Sequence, residues 1–416
     1  MNHRILILGS LDEFVPLVRM ARERGIYTVV CDGYPEGPAK TFADRAYTVP
    51  VTEIDQIAQI CKTEQADGIL TAYSDLLLEC MVKIADRAGL PCYLSPDQLE
   101  VYRNKASMKQ MFQRLGIGTP KFTRLYEDFE DRQLEGFRFP VIAKPIDKFG
   151  SRGIFVLNTI KEIRSRFQDV CQTSEIKQIL IEEYNTGFEF NMMCWVREGH
   201  LHVLSIADRE KTAVEGWSIP ISTRNVYPSR LMSYVYEDAK SILEKVIAFT
   251  GQKNGELSMQ FFWKPSEGIQ VCEIAARFLG YEHELIEYSS GFSIEKLLLD
   301  SIYDPDSLEK DLAGHNPWFQ TTSAVLYFQG KEKTISDLSK ARDIARLPYV
   351  KSSWLFYEEG ETIQHYVRPY AARCCITGPT REVVDEETQY IFDHISFTGE
   401  GGEELLYSNQ ITDYHL

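Results

Sequence analysis

Phe139-Pro140-Val141-Ile142-Ala143-Lys144-Pro145 opens the stretch, residues 139–189, on which the reading of this chain turns. The run is apolar and β-rich, ends on a single lysine and is stopped by Pro145, so one ammonium group is delivered at a strand end. Asp147-Lys148-Phe149-Gly150-Ser151-Arg152-Gly153 follows. Its small residues let backbone N–H groups approach an anion closely before residues 154–157 resume as a strand, a pattern that predicts a hairpin lid over phosphates. Residues 159–170 have helical spacing and 178–181 read as another strand. Glu182-Glu183-Tyr184-Asn185-Thr186-Gly187-Phe188-Glu189 closes the stretch with carboxylates that can accept from an amino group and from sugar hydroxyls.

Outward from this stretch, residues 4–9 form an apolar strand, 13–24 a helix stopped by Gly25, and 27–31 a second strand ending at Asp32. Helical segments at 52–64 and 75–88 alternate with strands at 68–72 and 91–94, which predicts a parallel, Rossmann-like sheet. Only Gly9-Ser10 stands where Gly-x-Gly-x-x-Gly would be needed, so a dinucleotide site is not expected. Asn104-Lys105 begins a helix that ends at Gly116. Lys105 lies in its first turn, where the helix dipole disfavours a cation unless an anion is near. Strands at 189–197 and 201–207 precede a polar passage, 208–228, read as a long loop carrying Arg209, Lys211, Trp217 and Arg224. Residues 229–250 form an amphipathic helix, and strands at 256–263 and 269–274 place Gln260 across from Glu273. Strands at 321–329, 350–357 and 363–377, a helix at 380–395 and a surface segment at 398–416 complete the chain.

Each piece alone fits an ordinary strand–turn–strand, and one Gly-x-x-Gly is weak evidence. Their order is more specific. With Lys105 ahead, Lys144, Gly150 to Gly153 and Glu182 to Glu189 in the middle, and Glu273…Arg277 behind, the chain resembles the ATP-grasp superfamily over roughly three quarters of its length. The likeness is to biotin-carboxylase-like, carbamoyl-phosphate-synthase-like and amino-acid-ligase-like members. It implies an α/β (α+β ATP-grasp) fold: a Rossmann-like domain over residues 1–103, the ATP-grasp module over 104–310 with a mobile lid at about 121–187, and a mostly β domain over 311–416.

The resemblance also implies roles. Lys105 and Lys144 would hold phosphates, and Gly150, Ser151 and Gly153 would fold over them. Glu182 would accept from the adenine amino group, with Glu183, Tyr184 and Asn185 along the hinge, and Glu189 would take the ribose hydroxyls. Glu273 and Gln260 would hold Mg2+, or Mn2+ in its place, with Glu256 as an alternative acid. Arg277 and Gly280 would meet the transferred phosphoryl group. Arg209 and Arg224 would clamp substrate, and Tyr281 and His283 would shape its pocket. Four positions depart from the common pattern: Asn104 for Asp, Gln260 for an acid, Ala275 for Asn, and Tyr281 for a second glycine. The implied reaction is ATP-dependent activation of a small carboxylate, an amino acid first, as an acyl phosphate that an amine then attacks. Bicarbonate activation and a nucleotide-binding regulator without catalysis are the alternatives.

The composition agrees. With 416 residues, 44% of them hydrophobic, the chain can bury several cores. A net charge of -16 opposes binding to nucleic acid or anionic membrane, so small-molecule carboxylates and amines are the expected partners, besides a second copy in a homodimer. The opening apolar run is too short for a signal peptide and no stretch reaches a membrane span, which gives a cytoplasmic expectation. The nine cysteines are scattered and read as reduced packing residues, Cys272 among them.

Overall fold

The structure is a computed structural model that describes residues 3–146, 153–172, 177–214, 219–364, 368 and 370–414. Arg4–Leu8 is the centre of a parallel four-stranded sheet, flanked by Tyr27–Asp32 and Gly68–Leu70, with Arg45–Thr48 outside. Its side chains alternate between two cores: Leu6 and Leu8 join one, Ile5 and Ile7 the other. Burial on both faces explains the unbroken apolar run. Residues 91–94, expected as a further strand, are irregular; the edge strand is instead Arg45–Thr48, whose exposed, polar residues gave no apolar signal.

A second sheet has four antiparallel strands, in the order Phe122–Leu125, Ile179–Glu183, Val141–Pro145 and Phe155–Leu157, covered by the helix Ile160–Cys171. Ile179, Ile181, Val141 and Ala143 face its own small core with Ile163 and Phe167. The period of two therefore sends Lys144 and Glu182 to the opposite face, and the register pairs Lys144 with Leu180 and Ile142 with Glu182, which makes Lys144 and Glu182 diagonal neighbours.

The largest sheet is antiparallel, with eight strands in the order Gly268–Ala275, Asn254–Lys264, Phe188–Arg197, His200–Thr212, Ile221–Tyr227, Thr322–Phe328, Ala372–Gly378 and Val350–Leu355. Phe188–Arg197 is its spine: Met192, Cys194 and Val196 pack under the helix Met232–Thr250, and Met193 and Trp195 pack on the other side. The sheet runs across residue 311, so strands from the C-terminal quarter extend the same surface. The passage 208–228, expected as a loop, supplies two paired strands. Its polar residues are buried as ion pairs. Fully buried Arg224 donates to both oxygens of Glu210 at 2.8 and 3.0 Å, to Asp385 at 2.6 Å and to Thr388 at 3.1 Å. Arg381 and the Tyr414 hydroxyl join Glu210, and the Tyr414 ring stacks on Phe188, so the C-terminal segment expected at the surface is partly packed. Among the described residues, no helix is long and apolar enough to cross a membrane.

Arg224 is thus a structural pivot between the sheet and the helix Arg381–His394. Replacing it with methionine leaves Glu210 and Asp385 short of a buried cation, and an expected loss of about 3 kcal/mol in urea denaturation checks this. A loss below about 0.5 kcal/mol would contradict it.

Candidate active site

Asn104 caps the helix Lys105–Leu115 through its side-chain oxygen and places Lys105 at the first helical position. Four residues on, the same helix face presents Lys109, which is buried and pairs with Glu182 at 2.9 Å. Lys144 reaches the other Glu182 oxygen. Burial alone would raise the Glu182 pKa, but the lysines overcome it and hold the carboxyl down to about 2. For Lys144 burial works against the ammonium, and the Glu182 charge outweighs it, so its pKa rises. Burial, followed by repulsion from Lys144, lowers that of Lys105, which also senses Glu273 and Glu182. Both lysines and Glu273 therefore share one electrostatic site.

Glu189 forms a second buried knot. Arg209 and Lys211 pair with it, and the Gln260 amide nitrogen donates to it. These donors pull its pKa down against burial. Gln260 does stand opposite Glu273 in the strand register, but its amide is turned to Glu189 and not to a shared ligand set with Glu273. The register slips between Gln260 and Phe261, so Cys272 is an extra residue. Cys272 joins none of the hydrophobic cores. Its thiol, pushed up to about 11 by burial, lies within electrostatic reach of Lys144, Glu273 and Glu182, contrary to the packing role expected for it.

The hinge residues divide. Glu183 faces away from Glu182 and is held by Arg138 at 2.9 Å. The Tyr184 amide donates to the Pro140 carbonyl at 3.1 Å. Asn185 accepts from the Gly187 amide at 2.8 Å and donates to Gln270 at 2.6 Å. A Cβ on Gly187 would lie 2.8 Å from the Trp263 carbonyl oxygen, which is why the turn carries glycine. Gly150 and Ser151 fall outside the described residues; Gly153 has a φ of +70°.

Arg277 is gripped by Asp75, Nε to Oδ1 at 3.2 Å and Nη2 to Oδ2 at 2.9 Å, which ties the parallel-sheet domain to this site. Glu256, mooted as a metal ligand, is fully buried and accepts from the Phe278 amide at 2.6 Å and the Tyr93 hydroxyl at 3.3 Å, so it braces the Arg277 loop instead. A Cβ on Gly280 would lie 2.8 Å from Glu13, whose carboxylate accepts from the Tyr281 amide at 2.5 Å. Tyr281 has a φ of +60°. His283 is buried, stacked on Tyr73 at 4.1 Å and bonded to Glu295 at 3.1 Å; burial disfavours its charge, but Glu284 and Glu295 raise its pKa to about 9.

The fold therefore brings Lys105, Lys144, Glu182, Glu189, Gln260, Glu273 and Arg209 together, with Arg277, Gly280, Tyr281 and His283 along the adjoining loop. Arg224 stands apart in its own ion network. Lys109, Asp75, Glu13 and Glu282 were missed, and Lys211 was named in the polar passage without a role. Lys109 was legible as the helical repeat of Lys105. Glu282, which accepts from Asn191 at 2.7 Å and Asn225 at 2.8 Å, depends on strands remote in sequence.

Residues 137–283 match the family described as ATP-grasp domain, and residues 5–90 the family described as PylC-like, N-terminal domain. The chain thus carries an ATP-grasp domain behind a PylC-like one. The formate-dependent phosphoribosylglycinamide formyltransferase of Prochlorococcus marinus (strain AS9601) is 23% identical over 195 residues, 46% of this chain and 50% of that one, so the chain spans about half the length of that relative. The crystal structure of an L-amino acid ligase from Bacillus licheniformis superposes with a TM-score of 0.79 at 19% identity, over 96% of this chain and 99% of that one. The biotin carboxylase domain dimer of Hydrogenobacter thermophilus 2-oxoglutarate carboxylase, solved with MgADP, ADP and bicarbonate, gives a TM-score of 0.72 at 16% identity, over 96% and 91% of the two chains. At these identities the superpositions establish the ATP-grasp fold.

Burial pushes the Glu256 carboxyl up from 4.5 to about 8. A carboxyl raised by folding contributes its stability fully below the unfolded value, near 4.5, and loses it as pH rises through about 8. The urea midpoint is therefore expected to fall between pH 5 and pH 8, and to fall less in Glu256→Gln. Equal pH slopes for the two proteins would contradict the assignment.

Proposed function

We propose that the protein is an ATP-dependent, ADP-forming carboxylate–amine ligase that works on small molecules, with an amino acid as the carboxylate donor. The observation that carries this is the convergence of Lys105 and Lys144 with Glu273 at one face, and of Arg277 on the loop that leaves Glu273's strand. Two ammonium groups match a polyphosphate, and a guanidinium fixed by Asp75 matches the planar charge of a phosphoryl group in transfer.

The donor carboxylate oxygen attacks the terminal phosphorus of ATP and the bond to the bridging oxygen breaks, giving ADP and an acyl phosphate. The amine then attacks the acyl carbon, the C–O bond to phosphate breaks, and the amine's proton is lost as the amide forms. Lys105 and Lys144 position the phosphates. Glu182 holds Lys144 and Lys109 in place, one on each carboxylate oxygen, and accepts from the purine amino group. Glu189, fixed by Arg209 and Lys211, accepts from the ribose. Arg277 meets the transferred group. Glu13 and Glu282, both raised to about 7 by burial, can take a proton near neutral pH.

Among the described residues no group of three or more metal-ligating side chains is present. A single carboxylate, Glu273, beside Lys105 and Lys144 suits Mg2+ that arrives with its nucleotide, because that ion keeps several waters and phosphate oxygens. When bound, it supplies charge neutralisation at the outer phosphates, and Glu273 would hold it. The engagement of Gln260 with Glu189 favours a working site over a decayed one, since the glutamine fills a hydrogen-bonding place of its own.

Release of ADP and phosphate, assayed with MgATP across pooled amino acids, small carboxylates, amines and bicarbonate, is expected to require a carboxylate pool and an amine pool together. Glu273→Gln should lower kcat about 100-fold. Release driven by bicarbonate alone, or full activity in Glu273→Gln, would overturn the reading.

A further inference from the structure

Arg373 lies on the strand Ala372–Gly378, opposite Tyr327 in the register, and is fully buried. Its guanidinium sits over the Trp354 ring at 3.7 Å and the Tyr281 ring at 4.8 Å. The flat faces are covered; the edges are not. Nε, Nη1 and Nη2 make no hydrogen bond, and the near charge is Glu284, Oε1 at 3.2 Å from Nη2. Five N–H donors in one plane, buried with a single ion-pair partner and no aligned acceptor, leave room for a further anion to complete them.

The unmet groups continue beyond the arginine. Glu284 Oε2, His283 Nδ1 and the Tyr73 hydroxyl are also buried without hydrogen bonds. They are contiguous: Nδ1 lies 3.4 Å from Oε2, and Tyr73 stacks on the imidazole. Glu13 acts on the same groups, within electrostatic reach of His283, Glu284 and Arg373. Trp354, which covers Arg373, also lines a cleft of about 390 Å³ with Asp12, Phe356 and Arg368, so the guanidinium lies one side chain from a route to solvent.

A cationic fork, the Glu284 carboxylate 3.2 Å from it, Glu13 within electrostatic reach and aromatic walls together fit a zwitterion. The fork takes a carboxylate on two parallel hydrogen bonds, and the acids and ring faces take an ammonium. In the large sheet the strand of Arg373, Ala372–Gly378, is separated by five others from the strand of Glu273, Gly268–Ala275. A carboxylate on Arg373 is therefore not the one offered to the phosphates. Resting on the ligase reading, we propose that the acceptor amine is an α-amino acid, whose own carboxylate is bound by Arg373 between Tyr281 and Trp354 and whose amino group faces Glu13 and Glu284.

The test is calorimetric titration of the full chain with each standard amino acid and with its decarboxylated amine. At least one amino acid is expected to bind, with its amine about 30-fold weaker; Arg373→Met should lose about 30-fold for that amino acid, and Arg373→Lys less. An amine that binds as well as its parent overturns the proposal without any variant. So does undiminished binding to Arg373→Met, or no binding of any amino acid up to about 50 mM. Hydroxylamine, an acceptor without a carboxylate, separates the two readings in the wild-type protein. ATP-driven hydroxamate formation with a failed titration removes the subsite alone. A positive titration with no hydroxamate from any carboxylate removes the ligase reading and leaves an amino-acid site.

Discussion

Two buried carboxylates, each neutralised by a pair of cations, set the geometry on which the rest of the site depends. Glu182 is held by Lys109 and Lys144, and Glu189 by Arg209 and Lys211. Removing such charges from water is costly, and only close, well-directed partners offset it. The cations are therefore not free to wander. Lys109 and Lys144 come from a helix and from a sheet that share no core, so the Glu182 knot pins the four-stranded antiparallel sheet against the helix Lys105–Leu115. On the proposed ligase function, a polyphosphate entering beside Lys144 would meet an ammonium group already desolvated and aimed, which is the condition under which electrostatic binding is strong.

The same logic explains why the parallel-sheet domain contributes to the candidate site and is more than a platform. Asp75, at the first turn of the helix Asp75–Ala88, aligns Arg277. Glu13 fits against Gly280, where any side chain would collide, and accepts from the amide of Tyr281. The loop from 277 to 284 is thereby shaped on one side by the parallel sheet and on the other by the Glu256 brace. Chemistry placed on this loop inherits its precision from both.

The elements that sequence made legible are those whose burial is apolar and local. The strand ending at Lys144, the spine at 188–197 and the helix at 232–250 show clean alternation or helical stripes. The strand at 208–212 did not, because Asp208 and Glu210 are buried against arginines up to 173 positions away. Polarity there signals an ion network and reads as a loop. The site divides the same way. Lys105, Lys144, Glu182, Glu189 and Glu273 stand in a recognisable order, and the register that sets Gln260 opposite Glu273 follows from the hairpin. That Gln260 turns to Glu189, and that Cys272 sits in a bulge, required the strand pairing itself. Arg373 carries no local signal at all, since its partners are Tyr281 and Glu284 from one loop and Trp354 from another strand.

The central claim is that a carboxylate oxygen ends up on the phosphate released. The direct measurement is to supply the donor carboxylate labelled with oxygen-18, run the reaction with MgATP and the amine, and determine the isotope in inorganic phosphate by mass spectrometry. Transfer of one labelled oxygen from each donor to phosphate is the result this account requires. Phosphate that carries no label while ADP and amide accumulate would mean that no acyl phosphate forms, and would contradict it.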